Sequence, residues 1–122
     1  MDLSDGGEKM NDCLFCKIAA GEIPSTKVYE DEYVYAFNDI DPKAPTHILF
    51  IPKQHIQSAA HVDADNSFVV SKIFDAIAKV AKDMELNDGF RVVSNVGESA
   101  GQTVPHLHFH VLSGRDMTWP PG

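Results

Sequence analysis

Cysteine, basic residues and long apolar runs are all scarce in this sequence. Only two of the 122 residues are cysteines, which excludes a disulfide-dense scaffold. Lys and Arg number 10 against 18 Asp and Glu, and the net charge of −8 argues against general nucleic-acid binding, because phosphates are bound by clustered cations. No apolar run approaches the ~20 residues that span a bilayer, so no membrane association is expected.

The N-terminus, from Met1 to Lys9, also lacks the basic start and apolar core of a secretory signal. A chain of this length matches one domain, since domains cluster around roughly 100–150 residues. We therefore expect a small cytoplasmic or nuclear protein. Residues 1–11 are polar and aperiodic, and they are predicted to form a disordered extension ahead of a single domain over residues 12–122.

The pattern of apolar residues along the domain predicts two helices and five strands. The helices are expected over 12–20 and 66–86, and the longer one carries an apolar stripe at spacings near 3.6 residues. The strands are expected over 27–29, 33–38, 46–52, 90–95 and 106–112. Strands gathered around one long helix predict an α+β fold with an antiparallel sheet of about five strands.

Three of the six histidines alternate along the last predicted strand, at His106, His108 and His110. Side chains in a strand alternate between its faces, so these three imidazoles share one face. The alternative is a row of polar residues on a solvated sheet surface. Imidazole offers metal ligation, proton transfer near neutral pH and nucleophilic attack.

The loop before this strand helps to choose among those chemistries. Gly101, Gln102 and Thr103 combine a permissive glycine, an amide and a hydroxyl just ahead of the histidines. The backbone N–H groups and side chains of such a loop can hold phosphate or carboxylate oxygens. The combination indicates an anionic phosphorus centre presented to an imidazole nitrogen.

The run His106–Leu112 resembles the alternating signature of the histidine triad (HIT) family. The likeness covers the chain from about residue 12 to the C-terminus, and its last four residues resemble those of the family's Hint branch. It extends to Phe37–Ile40, Ala44–His47, Ile51–Lys53, Asn95, Gly101–Thr103 and Trp119–Gly122.

The resemblance implies a HIT-like fold and the hydrolysis of purine nucleoside 5′-phosphoramidates, of the adenosine 5′-monophosphoramidase type, to AMP or another nucleoside monophosphate and an amine. It assigns the nucleophile to His108, which would form a covalent nucleotidyl-histidine intermediate. His110 would orient His108, and His106 would support the site from the other side.

The resemblance also implies a set of nucleotide contacts. Asp39 would accept hydrogen bonds from the ribose hydroxyls, while Phe37 and Ile40 would line the purine. Asn95 would face the sugar and phosphate. The plainer alternatives are a turn residue for Asp39, a core residue for Phe37 and a strand end for Asn95.

In the loop, the resemblance places phosphoryl oxygens against Gly101, Gln102 and Thr103. Gln102 and the loop N–H groups would stabilise charge on these oxygens. Thr103 stands where the family often has serine, and its hydroxyl would bond a phosphate oxygen or deliver a proton to the departing amine.

Cys13 and Cys16 form a CxxC pair on or before the first helix. A redox role needs a thioredoxin-like βαβ context that the chain lacks, and structural zinc needs four nitrogen or sulfur ligands. Some HIT proteins complete such a pair with a histidine of the middle strand and the first of the triad, which implies Zn²⁺ held by Cys13, Cys16, His47 and His106. The alternative is two free thiols. His55 and His61 are predicted to be ordinary surface residues.

The resemblance further implies a homodimer, formed by the long helix and a strand around a two-fold axis. Two other functions stay open. One is a dinucleoside polyphosphate hydrolase, and the other is a zinc- and nucleotide-binding interaction protein with little catalysis. The Trp119–Gly122 tail and the Ala44–His47 segment favour the phosphoramidate hydrolase over the polyphosphate hydrolase, and the complete triad and the loop argue against the interaction protein.

Overall fold

The computed structural model describes residues 12–122, so the predicted N-terminal extension lies outside the described residues. In chain order the helices are α1 (Leu14–Ala19) and α2 (Ser67–Asp83). The strands are β1 (Lys27–Glu30), β2 (Val34–Asn38), β3 (Thr46–Pro52), β4 (Phe90–Val93) and β5 (Phe109–Ser113). Short 3-10 turns span Ala59–His61 and Glu98–Ala100.

The five strands form one antiparallel sheet in the order β1-β2-β3-β5-β4. The fold is the α+β architecture that the sequence predicts, with one long helix and one short helix. Within the described part of the chain, neither helix has the length and apolarity that a membrane span needs.

Alternation along the strands gives the sheet two buried faces. One face packs on the apolar stripe of α2 and contributes Val34, Ala36, Ile48 and Phe50 to that core. The other face packs on α1 and contributes Tyr35, Phe37, Leu49 and Ile51. Full burial of such a side chain stabilises the fold by about 1.5–3 kcal/mol, so both helices are held by their contacts with the sheet.

The last strand begins at Phe109, three residues later than predicted. Before it, Leu107 N–H donates to the carbonyl of Ile56 at 2.6 Å, and Ser94 Oγ donates to the carbonyl of His108 at 2.8 Å. These bonds replace strand pairing, yet the alternation persists. Leu107 and Val111 lie in the α2 core, whereas the rings of His106 and His108 contact Phe15 of α1.

After β5 the chain turns sharply at Gly114, whose φ is +96°. A Cβ atom at this position would lie 2.9 Å from Cβ of Pro45, so both the backbone and the space require glycine. The turn brings residues 115–121 back toward β4, where Arg91 Nη2 donates to the carbonyl of Thr118 at 2.8 Å.

Candidate functional site

Two cysteines and two histidines meet beside the end of β3. Cys13, Cys16, His55 and His106 each offer a ligand atom, and these atoms all lie within 4.8 Å of one another. Nδ1 of His106 is 3.3 Å from Sγ of Cys13, and Nδ1 of His55 is 3.3 Å from Sγ of Cys16. We call these four residues the cysteine–histidine cluster.

The start of α1 explains why the two sulfurs converge. Cys13 is the N-cap of the helix, and its Sγ accepts the backbone N–H of Cys16 at 3.4 Å. Residues three apart lie on the same side of a helical turn, so the CxxC spacing turns both thiols toward His106.

The ring of His106 is oriented by a backbone carbonyl. Its Nε2 lies 2.9 Å from the carbonyl oxygen of Pro52, which can only accept, so Nε2 carries the proton and Nδ1 presents its lone pair to the sulfurs. Burial lowers the pKa of His106 to about 4 and keeps the ring neutral. A neutral imidazole whose second nitrogen donates to a carbonyl is the arrangement of metal-bound histidines. The two thiols and two imidazoles therefore suit tetrahedral Zn²⁺.

The prediction that His47 completes this cluster is wrong, and His55 takes its place. His47 lies near the start of β3 and is paired with Leu112, whereas the cluster lies beyond Pro52 at the other end. A strand rises ~3.3 Å per residue, so the length of β3 separates the two sites. The prediction that His55 is an ordinary surface residue is also wrong, because its ring is partly buried against Cys16 and His106.

His108 lies next to the cluster with only 6% of its surface exposed. Its Nδ1 is 2.7 Å from the carbonyl oxygen of His106, so Nδ1 donates and Nε2 keeps a free lone pair. Burial is the main cause that lowers the pKa of His108, so the ring is neutral at pH 7. The backbone therefore presents an unprotonated ring nitrogen, which is what a nucleophilic imidazole requires.

Phe15 holds the other side of this ring, and the sequence analysis missed it. Its ring meets the ring of His108 edge-on, with centroids 5.0 Å apart and an interplanar angle of 87°. Phe15 also contacts His106 and Phe37. Its contact with the histidines could have been predicted from its position between the two cysteines, because the start of α1 brings the thiols and this ring to the same side.

A second histidine cluster lies on the other side of His108. The backbone N–H of Lys43 donates to Nδ1 of His47 at 3.0 Å, so the proton of neutral His47 is on Nε2. That Nε2 lies 2.9 Å from Nδ1 of His110 and 3.4 Å from Oδ2 of Asp39. His110 thus accepts at Nδ1 and carries its own proton on Nε2. We call His47 and His110, with the Lys43 amide, the histidine relay.

The relay leaves the ring of His110 neutral, with its proton on Nε2. Burial lowers the pKa of His110 to about 4, and the neighbouring His108 and His47 rings contribute in the same direction. The rings of His110 and His108 have centroids 5.1 Å apart. The ring of His110 therefore carries a hydrogen-bond donor next to the ring of His108, which suits a substrate that develops negative charge.

The structure separates the predicted nucleotide contacts into open and buried groups. Ile40 is 98% exposed, and the carboxylate of Asp39 is largely buried beside His47. Phe37 is 4% exposed and packs against Phe15, so its ring belongs to the core.

In the predicted phosphate loop, the side-chain amide of Gln102 is bonded to the backbone. Its Oε1 accepts from Gly97 N–H at 2.9 Å, and its Nε2 donates to the carbonyls of Gln57 at 2.8 Å and Val104 at 3.1 Å. These bonds fix the shape of the loop.

The other predicted loop residues remain open to a ligand. Gly101 has a φ of +91°, a left-handed conformation that favours glycine. Asn95 lies next to it, with Nδ2 3.8 Å from where a Cβ of residue 101 would be. Thr103 is exposed, so its hydroxyl is accessible.

Comparison with known proteins agrees with this geometry. A family model described as "HIT domain" matches residues 20–117. The "14 kDa zinc-binding protein" of Zea mays is 49% identical over 111 residues, which cover 89% of this chain and 87% of that protein.

Solved structures share the fold. A HIT family hydrolase from Legionella pneumophila Philadelphia 1 superposes with a TM-score of 0.87 at 51% identity, covering 90% of this chain and 99% of that one. A histidine triad nucleotide-binding protein from Candida albicans gives a TM-score of 0.76 at 36% identity, covering 88% and 77%. With a family model matched over most of its length and relatives of this similarity, the chain belongs to the HIT domain family.

Proposed function

We propose that this protein hydrolyses purine nucleoside 5′-phosphoramidates to a nucleoside monophosphate and an amine, as a member of the Hint branch. The observation that carries the proposal is the hydrogen bond from Nδ1 of His108 to the carbonyl of His106. It leaves Nε2 of a buried, neutral imidazole free to attack.

In the first step, Nε2 of His108 forms a bond to the α-phosphorus and the phosphorus–nitrogen bond of the substrate breaks. The departing nitrogen leaves as an amine after taking one proton through the hydroxyl of Thr103, which is exposed and exchanges with water. The Nε2–H of His110 and the loop N–H groups donate to the phosphoryl oxygens. Water then attacks the phosphorus, the bond to His108 breaks, and the water's second proton passes to solvent.

The substrate's nucleoside would lie beside Asp39 and Ile40. The carboxylate of Asp39 would accept from the ribose hydroxyls, with Oδ1 already bonded to the N–H of Asp41 at 2.8 Å. That bond fixes the carboxylate, and the exposed Ile40 would cover the base. Asn95, next to Gly101, would face the sugar and phosphate.

We further propose that the cysteine–histidine cluster holds structural Zn²⁺. The donor set, the lone pair of His106 directed at the sulfurs and the zinc-binding relative from maize support it. Zinc bound there would crosslink α1 to the segment that carries His106. Because the carbonyl of His106 positions His108, this crosslink would also stabilise the nucleophile.

A two-fold dimer is the assembly that we propose. Strand β4 is at the edge of the sheet, so its outer backbone groups can pair with a second copy. Phe90 of β4 and Phe74 of α2 are large apolar side chains that remain exposed, as expected of a surface that a partner covers. Light scattering of the full chain would measure this mass directly.

The test is a side-by-side assay of an adenosine 5′-phosphoramidate and a diadenosine polyphosphate. We expect turnover of the phosphoramidate, and its loss in His108→Ala and His108→Asn with nucleotide binding retained in calorimetry. The exposed His61 offers the matched control, since His61→Ala should hydrolyse as the parent does.

Turnover by the His108 variants would contradict the mechanism. Preference for the polyphosphate would favour the dinucleoside polyphosphate hydrolase. Tight nucleotide binding without turnover of either compound would favour the interaction protein.

A further inference from the structure

The only two arginines of this acidic chain border the same cavity. Arg91 lies on β4 and Arg115 follows the turn at Gly114, and both line a cavity of about 240 Å³. His110 and Asn95 form part of its wall. In a chain with net charge −8, this places two permanent positive charges directly beside the proposed catalytic centre.

Both guanidinium groups bond to backbone carbonyls. Nη2 of Arg91 donates to Thr118 at 2.8 Å. Nε of Arg115 donates to Lys43 at 2.8 Å, and its Nη1 donates to Asp116 at 3.1 Å. A guanidinium has five N–H donors, so each group is held in place with donors to spare.

Neither arginine is neutralised by an ion pair among residues 12–122. Lys43 also lines the cavity, but its ammonium is bound by Asp41 at 2.8 Å. Both arginines also line an adjoining depression together with Asp88 and Asp116, but neither of these carboxylates forms an ion pair with a guanidinium. The net positive charge of the cavity therefore comes from the two arginines.

The remaining wall consists of His47 and four apolar residues, Val93, Leu112, Met117 and Pro121. Such a surround lowers the local dielectric and strengthens a charge-assisted hydrogen bond to an anion. His108 does not line the cavity, so the phosphorus under attack lies outside it. His110 lines the cavity and also contacts His108, so an occupant would be one ring away from the reacting phosphorus.

We propose that this arginine pocket binds an anionic group, a carboxylate or a phosphate, on the leaving group of the substrate. The inference rests on the proposed hydrolase function and specifies its substrate class as nucleoside phosphoramidates of acidic amines. A planar guanidinium can donate two parallel hydrogen bonds to a carboxylate or a phosphate. The bonds to backbone carbonyls hold both guanidinium groups in place before the substrate binds.

The experiment compares matched pairs of substrates. Adenosine 5′-phosphoramidates of glycine and glycinamide differ by one carboxylate, and those of O-phosphoethanolamine and ethanolamine differ by one phosphate. A guanidinium donates charge-assisted hydrogen bonds to the extra anion, so we expect kcat/KM to favour an acidic member by about tenfold or more, mainly through KM. The pair with the larger ratio identifies which anion the pocket prefers.

Arg91→Gln and Arg115→Gln should each lower that ratio severalfold, and the double variant should bring it to about one. Lys82→Gln is the matched control, because it removes the same charge from the exposed side of α2 and should leave the ratio unchanged. Arg91→Lys and Arg115→Lys keep the positive charge but lose the planar guanidinium. They can be measured in place of a glutamine variant that fails to fold. Their ratios should lie between those of the parent and the glutamine variants.

Equal kcat/KM for acidic and neutral members in the parent protein would overturn the arginine pocket while leaving the proposed hydrolase intact. A substitution that changes the oligomeric mass but not the ratio would also overturn it, since the pocket would then serve a second copy of the chain. Loss of turnover with every substrate, neutral ones included, would instead overturn the proposed function.

Discussion

The cysteine–histidine cluster and the histidine relay lie on either side of His108. The ligand atoms of the cluster lie within 4.8 Å of one another, and so do those of the two relay histidines together with Asp39. They differ in where their lone pairs point. In the cluster, the lone pair of His106 faces two sulfurs because its other nitrogen donates to Pro52. In the relay, the lone pair of His47 accepts from the Lys43 amide and that of His110 accepts from His47.

The difference shows that proximity of ligand atoms does not define a metal site by itself. A metal in the relay would have to displace two hydrogen bonds, one of them the partly buried bond from the Lys43 N–H to His47, at a cost of about 1–3 kcal/mol. A metal in the cluster would replace only weak sulfur contacts. The cluster is therefore suited to hold a metal and the relay to fix tautomers.

The largest expected difference between the cysteine–histidine cluster and the histidine relay is in metal content. We expect about one zinc per chain in protein purified without added zinc, its loss in His55→Ala and its retention in His47→Ala, as measured by atomic emission. Metal at 100 times its Kd stabilises a fold by about 2.7 kcal/mol, so His55→Ala should also lower the free energy of unfolding by about that amount. Zinc lost from His47→Ala and kept in His55→Ala would reverse the assignment.

A smaller effect is expected on catalysis when the hydrogen bond between His47 and His110 is removed. His47→Ala removes the donor to Nδ1 of His110, and an unpaired buried nitrogen costs ~1–3 kcal/mol. If this cost appears in the transition state, kcat should fall about 10- to 100-fold while the zinc content stays constant. His47→Gln should recover part of kcat, because a carboxamide both donates and accepts. Equal impairment of the two variants would contradict the relay.

The smallest effect is a pH dependence of stability. Burial lowers the pKa of His110 to about 4 from its ordinary value of 6.5, so between these values the unfolded chain binds a proton that the folded chain does not. The free energy of unfolding should therefore decrease as the pH falls from 6.5 toward 4, and urea titrations across this range would measure it. His110→Gln should show a shallower decrease, and an unchanged slope would contradict the lowered pKa.

Much of this arrangement is predictable from local sequence patterns. Thr46–Pro52 forms a strand over the residues that its apolar run predicts, and the alternation of His106, His108 and His110 places them opposite Leu107 and Val111. Both predictions rest on the two-residue period of extended chain, which depends only on local backbone geometry.

The predictions that fail concern residues whose neighbours come from distant parts of the chain. His47 and His55 are both histidines close to the same strand, and only the path of β3 shows that one is near Lys43 and the other near Cys16. The surroundings of Phe37 and Gln102 also depend on contacts between segments, because Phe15 packs against the first and three loop hydrogen bonds hold the amide of the second.

The family could be assigned from the sequence because the motif that resembles it is contiguous in the chain, and the architecture and the spacing of the three histidines follow from short-range periodicity. The nitrogen that carries the proton in each histidine depends on tertiary contacts, because the carbonyl and amide groups that bond to the rings often belong to other segments. The tertiary structure alone also brought Arg91 and Arg115, 24 positions apart, to one cavity beside His110, since that contact requires the chain to turn back at Gly114.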